Sequence, residues 1–383
     1  MRARDLGIAI GEGTPGPLDA ITDVPGVRVG HTTLIDGDGP LVVGRGPVRT
    51  GVTVVVPHDG TVGEEPLFAG SHTLNGNGEL TGLEWIRESG MLTSPIALTN
   101  THSVGVVRDS LIAAEARERP TGSIYWSLPV VGETWDGALN DINGFHVKPD
   151  HVERALASAS SGPVPEGAVG GGTGMICHDF KGGIGTASRV LRERNGGFTM
   201  GVLVQANHGR RRRLAVNGAP VGMVIDAATV PEPDYPDEPP SAGGTSIIVI
   251  VATDAPLLPT QCTRLAQRAG LGIARTGGVG EHSSGDIFLA FSTANRGLPP
   301  AEGGEPPLTT SVEVLSNTHI TPLFDAVIEA TEEAIVNCLV AAETMVGRDG
   351  ITAHAVPHEV LVEALKRFGR GPSPEAAGSA PRG

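Results

Sequence analysis

Two adjacent hydroxyl side chains, Thr245 and Ser246, lie where a polar, proline-rich segment turns into an apolar, β-branched run. Proline lacks an N–H group and fixes φ, so residues 231–245 predict a tether without regular structure. Residues 246–252 predict a buried strand. A hydroxyl at the start of such a strand could attack the preceding carbonyl, and hydrolysis of the resulting ester would free an N-terminal residue carrying both nucleophile and α-amine base. An ordinary loop-to-strand junction is the simpler interpretation of this stretch taken alone.

Three polar clusters adjoin other apolar runs, and they supply the remaining parts of a self-activated hydrolase. Such an enzyme needs a nucleophile, a partner for its hydroxyl, an oxyanion donor and a recognition group. These roles would be filled, in that order, by Ser246, by Ser284 with Asp286, by Asn207 and by Glu133. Taken singly, each has a plainer interpretation: Asn207 as a turn former, Glu133 as a helix cap and Ser284–Asp286 as a turn.

Other chemistries find little support in the motifs. The glycine block 170–174 is followed by Met175 where a phosphate-binding P-loop needs Lys, and residues 182–185 lack a full GxGxxG. No GxSxG or HExxH motif occurs, and no His/Cys pair has ligand spacing in the sequence. The three cysteines, Cys177, Cys262 and Cys338, are widely spaced, and histidines such as His102, His178, His208, His282 and His319 are scattered. We therefore expect neither a cofactor nor a metal.

Composition limits the partners. The chain has 383 residues and a net charge of −15, which argues against nucleic acid as the main partner. The basic run Arg210–Arg213 is more simply a solvated turn or a subunit contact. The N-terminus has no apolar signal region, and no stretch is long and apolar enough to span a membrane. The expectation is a cytoplasmic enzyme without a membrane partner.

Hydrophobic patterning predicts interleaved strands and helices without strict βαβ alternation, which is typical of an α/β protein with mixed sheets and helical layers. The predicted strands are Val27–His31, Val52–Val56, Pro95–Thr99, Met200–Asn207, 246–252 and Ile287–Ser292. The predicted helices are Leu80–Glu88, Ser103–Arg119, Val147–Ser160, Leu258–Leu271 and Leu323–Met345. Residues 167–185 predict a glycine-dense loop pair, and the Gly/Pro/Ser/Ala-rich tail, residues 371–383, predicts disorder.

Several ordered stretches resemble one family, the self-processing P1 aminopeptidases of peptidase family S58. This group holds the L-aminopeptidase/D-amidase-esterase, the β-peptidyl aminopeptidases and pantetheine hydrolase-like members. The matching stretches are Ile21–His31, Asn75–Glu79, Leu98–Gly105, Gly132–Thr134, Gly170–Met175, Phe180–Thr186, Val204–Asn207, Ser246–Pro256 and Ser284–Asp286. Each is weak by itself, but their number and order make the resemblance specific.

The resemblance implies a four-layer αββα sandwich, similar in architecture to N-terminal-nucleophile hydrolases but differently connected. It implies self-cleavage into an α chain, residues 1–245, and a β chain, residues 246–383, which together form one domain. It also implies an assembly of such heterodimers, usually a homotetramer. The family's Ala-Thr-Asp motif at Ala252 and its Ser-x-acid motif at Ser284 both place the nucleophile at Ser246 rather than Thr245.

Three residues depart from the family pattern. Thr245 precedes the nucleophile where Gly or Asn is usual, so its β-branch is expected to slow self-cleavage. Asp286 stands where the family usually has Glu. Trp135 stands where relatives often have a Tyr that holds the oxyanion. An indole N–H is a donor only, so Trp135 could stabilise an oxyanion without relaying a proton.

The resemblance implies an aminopeptidase that acts on short peptides, amino-acid amides or esters, with D- and β-residues among the candidate N-terminal residues. Glu133 would bind the substrate ammonium, Ser246 would attack the carbonyl, and Asn207 with Trp135 would hold the oxyanion. Ser284 and Asp286 would orient the amine and the hydroxyl. Two alternatives stay open: an amide hydrolase of the same fold acting on a pantetheine-like substrate without a free amine, and a non-catalytic protein whose glycine loops hold a nucleotide.

Overall fold

A computed structural model describes residues 1–122, 124–235, 245–300 and 307–371. The strands are β1 Arg28–Asp36, β2 Val48–Val56, β3 Leu67–Gly76, β4 Met91–Leu92, β5 Ile96–Asn100, β6 Val130–Thr134, β7 Ile176–Cys177, β8 Phe180–Lys181, β9 Gly183–Val190, β10 Thr199–Asn207, β11 Ser246–Thr253, β12 Gly285–Ser292, β13 Met345–Val346 and β14 Thr352–Ala353. The α-helices are α1 Leu83–Ser89, α2 Val104–Arg117, α3 Pro149–Ala157, α4 Pro259–Arg275, α5 Thr321–Ala341 and α6 His358–Arg367. These mixed sheets and helices confirm the α/β expectation.

Two sheets carry the fold. The larger has six strands in the order β4-β3-β12-β11-β10-β9, and the smaller has four in the order β1-β2-β5-β6. Strand β11 lies inside the larger sheet, antiparallel to β10 and parallel to β12. Helices α4 and α5 cover one face of β11 and the smaller sheet covers the other, which explains its continuous apolar sequence.

Side chains of β11 alternate between two hydrophobic clusters. Ile247, Val249 and Val251 pack with residues of α4 and α5 on one face of the larger sheet. Ile248 and Ile250 pack against the smaller sheet, together with side chains of β2, β5 and β6. A further cluster joins the smaller sheet to α2 and α3. Successive strand residues point to opposite faces, so Ser246 falls on the same face as Ile248, toward the smaller sheet.

The glycine-dense region differs from its prediction as a loop pair. Its last residues, from Gly183, begin β9, a strand that pairs with β10 along its whole length. A Cβ atom at Gly185 would lie 1.9 Å from the Ala334 carbonyl oxygen, so glycine allows α5 to pack directly on the strand. The glycines here serve close packing rather than a loop, a role that sequence periodicity does not report.

Other boundaries differ by smaller amounts. Strand β3 and helix α6 were not predicted, and the predicted helix 323–345 already ends at Ala341, where the chain becomes extended. Residues 236–244 of the predicted tether and residues 372–383 of the predicted disordered tail lie outside the described residues. Among the described helices, none has both the length and the apolar character that crossing a membrane requires.

Candidate active site

The sheet register brings four of the predicted residues to one end of the larger sheet. Ser246 opens β11 and lies opposite Asn207, the last residue of antiparallel β10. On its other side Ser246 pairs with Gly285, the first residue of parallel β12. Ser284 immediately precedes that strand and Asp286 is its second residue, paired with Ile247. Residues from distant parts of the sequence therefore meet because three strand ends coincide.

Ser246 is 4% exposed and its hydroxyl is held in place. The Gly285 backbone N–H donates a hydrogen bond of 3.1 Å to Ser246 Oγ. Beside it, Ser284 Oγ donates to Asp286 Oδ1 at 2.6 Å, and both side chains are buried. Burial raises the pKa of Asp286, although its hydrogen bond from Ser284 opposes that shift. The predicted Ser284–Asp286 pair thus exists as a direct hydrogen bond next to Ser246.

Thr245 is 7% exposed, and its hydroxyl finds no hydrogen-bond partner within the described ranges. A buried hydroxyl without a partner costs free energy relative to one solvated by water. The residue that precedes Ser246 is therefore held in an unfavourable setting in the continuous chain. It also lines a small cavity, of about 30 Å³, with Trp135 and Asn207.

The Asn207 amide is oriented by backbone groups of two other segments. Its Oδ1 accepts a hydrogen bond of 2.8 Å from the Ile176 N–H, and its Nδ2 donates to the Trp135 carbonyl at 3.0 Å. These bonds distinguish the oxygen from the nitrogen end of the amide and fix which end faces each segment. Trp135 meets Asn207 through its backbone, while its indole lies against Gly137, where a Cβ atom would come within 2.8 Å of Nε1.

Glu133 is the penultimate residue of strand β6 and is 3% exposed. Its Oε1 accepts a hydrogen bond of 2.9 Å from the Glu79 N–H, and its Oε2 accepts one from the Thr101 hydroxyl. Burial raises the pKa of Glu133 against these two bonds. No Lys or Arg of the described residues forms an ion pair with it. The buried carboxylate thus accepts these hydrogen bonds from neutral donors, and nearby His102 also lowers its pKa.

The loop Asn75–Glu79 joins Glu133 to the Ser284 region, and no role for it was predicted. The Asn77 N–H donates to the Ser284 carbonyl at 3.2 Å, and Asn77 Nδ2 donates to the Ser283 carbonyl at 2.8 Å. A Cβ atom at Gly78 would lie 3.0 Å from Glu133 Oε1 and 3.1 Å from Gly285 Cα. Glu133 is therefore only one glycine away from the residue that binds the Ser246 hydroxyl. In the sequence, residues 75–79 were noted only as a stretch that matches the family, and such a match does not reveal hydrogen-bond partners.

A buried group of possible metal ligands lies beneath the site. Ligand atoms of Cys177, His178 and His208 all fall within 4.8 Å of one another, and Cys177 Sγ lies 3.8 Å from His208 Nδ1. Thiolate and imidazole are the donors that zinc prefers in proteins. Cys177 and His178 follow one another in the chain, whereas His208 comes directly after β10, so linear spacing concealed the group. The expected absence of a metal stays a prediction.

Comparison with known proteins assigns the family. The model of peptidase family S58 matches residues 19–353, most of the chain. The chain belongs to this family. It is accordingly a peptidase, a hydrolase of the serine aminopeptidase group, which confirms the resemblance and the enzyme class predicted from the sequence.

Relatives within the family are similar over nearly their whole length. The β-peptidyl aminopeptidase BapA of Sphingosinicella microcystinivorans is 50% identical over 375 residues, which cover 96% of this chain and 93% of that protein. A β-aminopeptidase of Burkholderia sp. superposes with a TM-score of 0.88 at 57% identity, covering 96% of this chain and 99% of that one. The L-aminopeptidase D-Ala-esterase/amidase of Ochrobactrum anthropi, a serine aminopeptidase with a variant of the Ntn-hydrolase fold, gives 0.86 at 44% identity, with 96% and 99% covered.

Proposed function

We propose that this protein is a self-cleaving N-terminal-serine aminopeptidase that removes the N-terminal residue from short peptides, amino-acid amides or esters. The observation that carries the proposal is the buried Glu133 carboxylate, which has neutral donors but no cationic partner among the described residues and lies close to the segment holding Ser246. A substrate ammonium would supply the missing positive charge. The names of the relatives favour substrates with β- or D-residues at the N-terminus.

In the first stage the chain would cut itself between Thr245 and Ser246. Ser246 Oγ attacks the Thr245 carbonyl carbon, the peptide C–N bond breaks, and the nitrogen leaves as the α-amine of Ser246. Water then hydrolyses the Thr245 ester and restores the hydroxyl. The products are residues 1–245 and residues 246–383. The partnerless Thr245 hydroxyl supports this site, because cleavage would release a buried group from an unfavourable position.

In the second stage the new α-amine would act as the base. It takes the Ser246 hydroxyl proton as Oγ attacks the substrate carbonyl, and returns it to the leaving amine when the C–N bond breaks. Water then hydrolyses the acyl-enzyme by the same route. An unperturbed α-amine titrates near pH ~8, so it is partly deprotonated at neutral pH. The hydrogen-bonded Ser284 and Asp286 would orient the amine and the hydroxyl.

Asn207 and Trp135 would stabilise the oxyanion. Asn207 lies directly opposite Ser246 in the sheet, and its two backbone partners prevent the amide from flipping. A donor oriented in advance in a buried site stabilises developing negative charge without reorganising. Trp135 lines the same small cavity as Asn207 and Thr245, which supports a role for its donor-only indole.

The proposal is tested on freshly purified wild-type protein and a Ser246→Ala variant, by intact mass and N-terminal sequencing. The wild type should give two chains, the smaller beginning Ser246-Ile247-Ile248, whereas the variant should remain one inactive chain. A smaller chain that begins at Thr245 would move the nucleophile. The processed enzyme is then offered β-alanyl-p-nitroanilide and its N-acetyl derivative. Efficient cleavage of the acetylated compound would contradict the role of Glu133 and favour an amidase for substrates without a free amine.

We also propose the four-layer αββα sandwich and a homotetramer of αβ heterodimers. The three hydrophobic clusters support the layering, since one joins α4 and α5 to the larger sheet, one joins the two sheets, and one joins the smaller sheet to α2 and α3. The assembly is tested by light scattering of the processed protein, where the mass of a single heterodimer would contradict it.

A further inference from the structure

A second cavity, of about 620 Å³, adjoins the candidate active site and is lined by the whole basic run Arg210–Arg213. It shares Asp179, Arg210 and Tyr235 with the small cavity that contains Asn207, Trp135 and Thr245. The two cavities are therefore neighbours on the side of Ser246 where Asn207 lies. The sequence offered a solvated turn or a subunit contact for this run, and neither interpretation accounts for its place beside the nucleophile.

Arg211 has a structural role. It is buried, its guanidinium donates to the carbonyls of His178, Asp179 and Val230, and it lies 3.5 Å above the ring of Phe180. The hydrogen bonds of its guanidinium go to backbone carbonyls, and the face of the guanidinium packs on one aromatic ring. It fixes the shape of the cavity wall and leaves ligand binding to its neighbours.

The other three arginines of the run do not share the backbone contacts of Arg211. Arg210 Nε and Arg213 Nη1 both contact the Glu281 carboxylate, at 3.3 and 2.5 Å, so two cations share one anion. The Arg212 side chain is exposed and makes no hydrogen bond or ion pair in the described part of the chain. Arg210 is the only one of the three that also lines the small cavity with Asn207.

Carboxylates already face this cavity in the continuous chain. The Asp179 side chain accepts a hydrogen bond from the Arg211 backbone N–H at 2.7 Å. Glu232 and Asp234 line the cavity and are exposed, and they belong to the segment that leads into the tether. Acidic side chains of the same chain therefore already lie beside these arginines. Two of them, Glu232 and Asp234, belong to the segment that would end at Thr245 after self-cleavage.

We infer that Arg210, with Arg212, binds the C-terminal carboxylate of a short peptide substrate. The inference rests on the proposed function and adds a preference for free dipeptides and tripeptides over their amides. Glu133 lines neither cavity and lies near Gly285, whereas Arg210 lines the small cavity with Asn207. Ser246 pairs with Gly285 on one side and Asn207 on the other, so the scissile carbonyl at Ser246 would lie between the groups that hold the ammonium and the carboxylate. A guanidinium presents a planar fork of N–H donors that matches a carboxylate, which makes arginine suited to this role.

The experiment compares kcat/KM for β-alanyl-glycine and β-alanyl-glycinamide, which differ only in the terminal carboxylate. We expect the wild type to prefer the dipeptide by about tenfold, and Arg210→Gln to lose that preference by slowing the dipeptide alone. Arg194→Gln is the control for net charge, because Arg194 is exposed and lines neither cavity. This control should keep the wild-type ratio.

Equal rates on the two compounds in the wild type would overturn the inference and leave the aminopeptidase proposal standing. Equal slowing of both compounds by Arg210→Gln would also overturn it, since that result indicates a structural role. If the wild type hydrolyses neither compound, the proposed function fails for these substrates. Calorimetric titration of the same protein with the two compounds then decides the inference separately: tighter binding of the dipeptide, lost in Arg210→Gln, supports it, and equal or absent binding refutes it.

Discussion

Replacing Glu133 with Gln should abolish recognition of the substrate amine while leaving the fold intact. The substitution keeps the side chain's shape and an oxygen that can accept the Glu79 N–H, but it removes the negative charge. Truncating one partner of a buried, hydrogen-bonded charge pair costs about 2–5 kcal/mol. Because the shape is preserved, we take the lower end, ~2 kcal/mol, which corresponds to a ~30-fold loss of kcat/KM.

Stability should change in the opposite sense to activity. Burial raises the pKa of Glu133, so the folded state holds its proton more tightly than the unfolded chain does. The stability gained from this protonation is present below the unfolded pKa of about 4.5 and is lost as pH rises through the folded value. At pH ~8 the wild type carries a buried charge that Glu133→Gln lacks, so the variant should unfold at the same or a higher temperature.

The assay measures kcat/KM on β-alanyl-p-nitroanilide, the unfolding temperature, and self-cleavage on a denaturing gel, so that failed processing is not mistaken for failed recognition. Glu79→Gln is the matched control, because Glu79 is a neighbouring but exposed carboxylate that contacts Glu133 through its backbone N–H. It should change kcat/KM by less than about threefold. Unchanged activity in processed Glu133→Gln would refute the reasoning, and a lower unfolding temperature would indicate a structural role instead.

Three further predictions concern other residues. Thr245→Gly should speed self-cleavage, seen as faster loss of the intact chain on a time-course gel, because it removes the β-branch beside the scissile carbonyl; an unchanged rate would contradict this. Asn207→Ala should lower kcat by about 10²–10³-fold in processed enzyme, as for loss of one oxyanion donor, and a drop below about threefold would remove it from that role. Burial raises the pKa of Glu166 to about 7, so its protonation stabilises the fold below about pH 4.5 and that contribution is lost as pH rises through 7. Unfolding temperatures of Glu166→Gln should therefore fall less steeply over this pH range than those of the wild type, and parallel curves would refute the assignment.

The local pattern of apolar and polar residues was sufficient to predict the strands that carry the site. The strand predicted at 246–252 is β11, Ser246–Thr253, and the strand predicted at Met200–Asn207 is β10, Thr199–Asn207. Both are apolar runs bounded by polar residues, a signal contained in the strand itself. Strand β9 was missed for the opposite reason: its glycines resemble a loop in the sequence, and only contact with α5 shows that they serve packing.

Residue types and their order determined the family, the α/β class and the set Glu133, Asn207, Ser246, Ser284 and Asp286 as candidates, because hydroxyls, amides and acids beside apolar strands are visible along the chain. Tertiary structure alone decided the contacts. The sheet register brings Asn207, Ser246 and Gly285 together. The donors to Glu133 come from separate segments at Glu79 and Thr101, and Arg210 reaches a cavity beside Asn207. Such contacts join residues far apart in sequence, and their energies depend on burial and relative orientation, which no local pattern encodes.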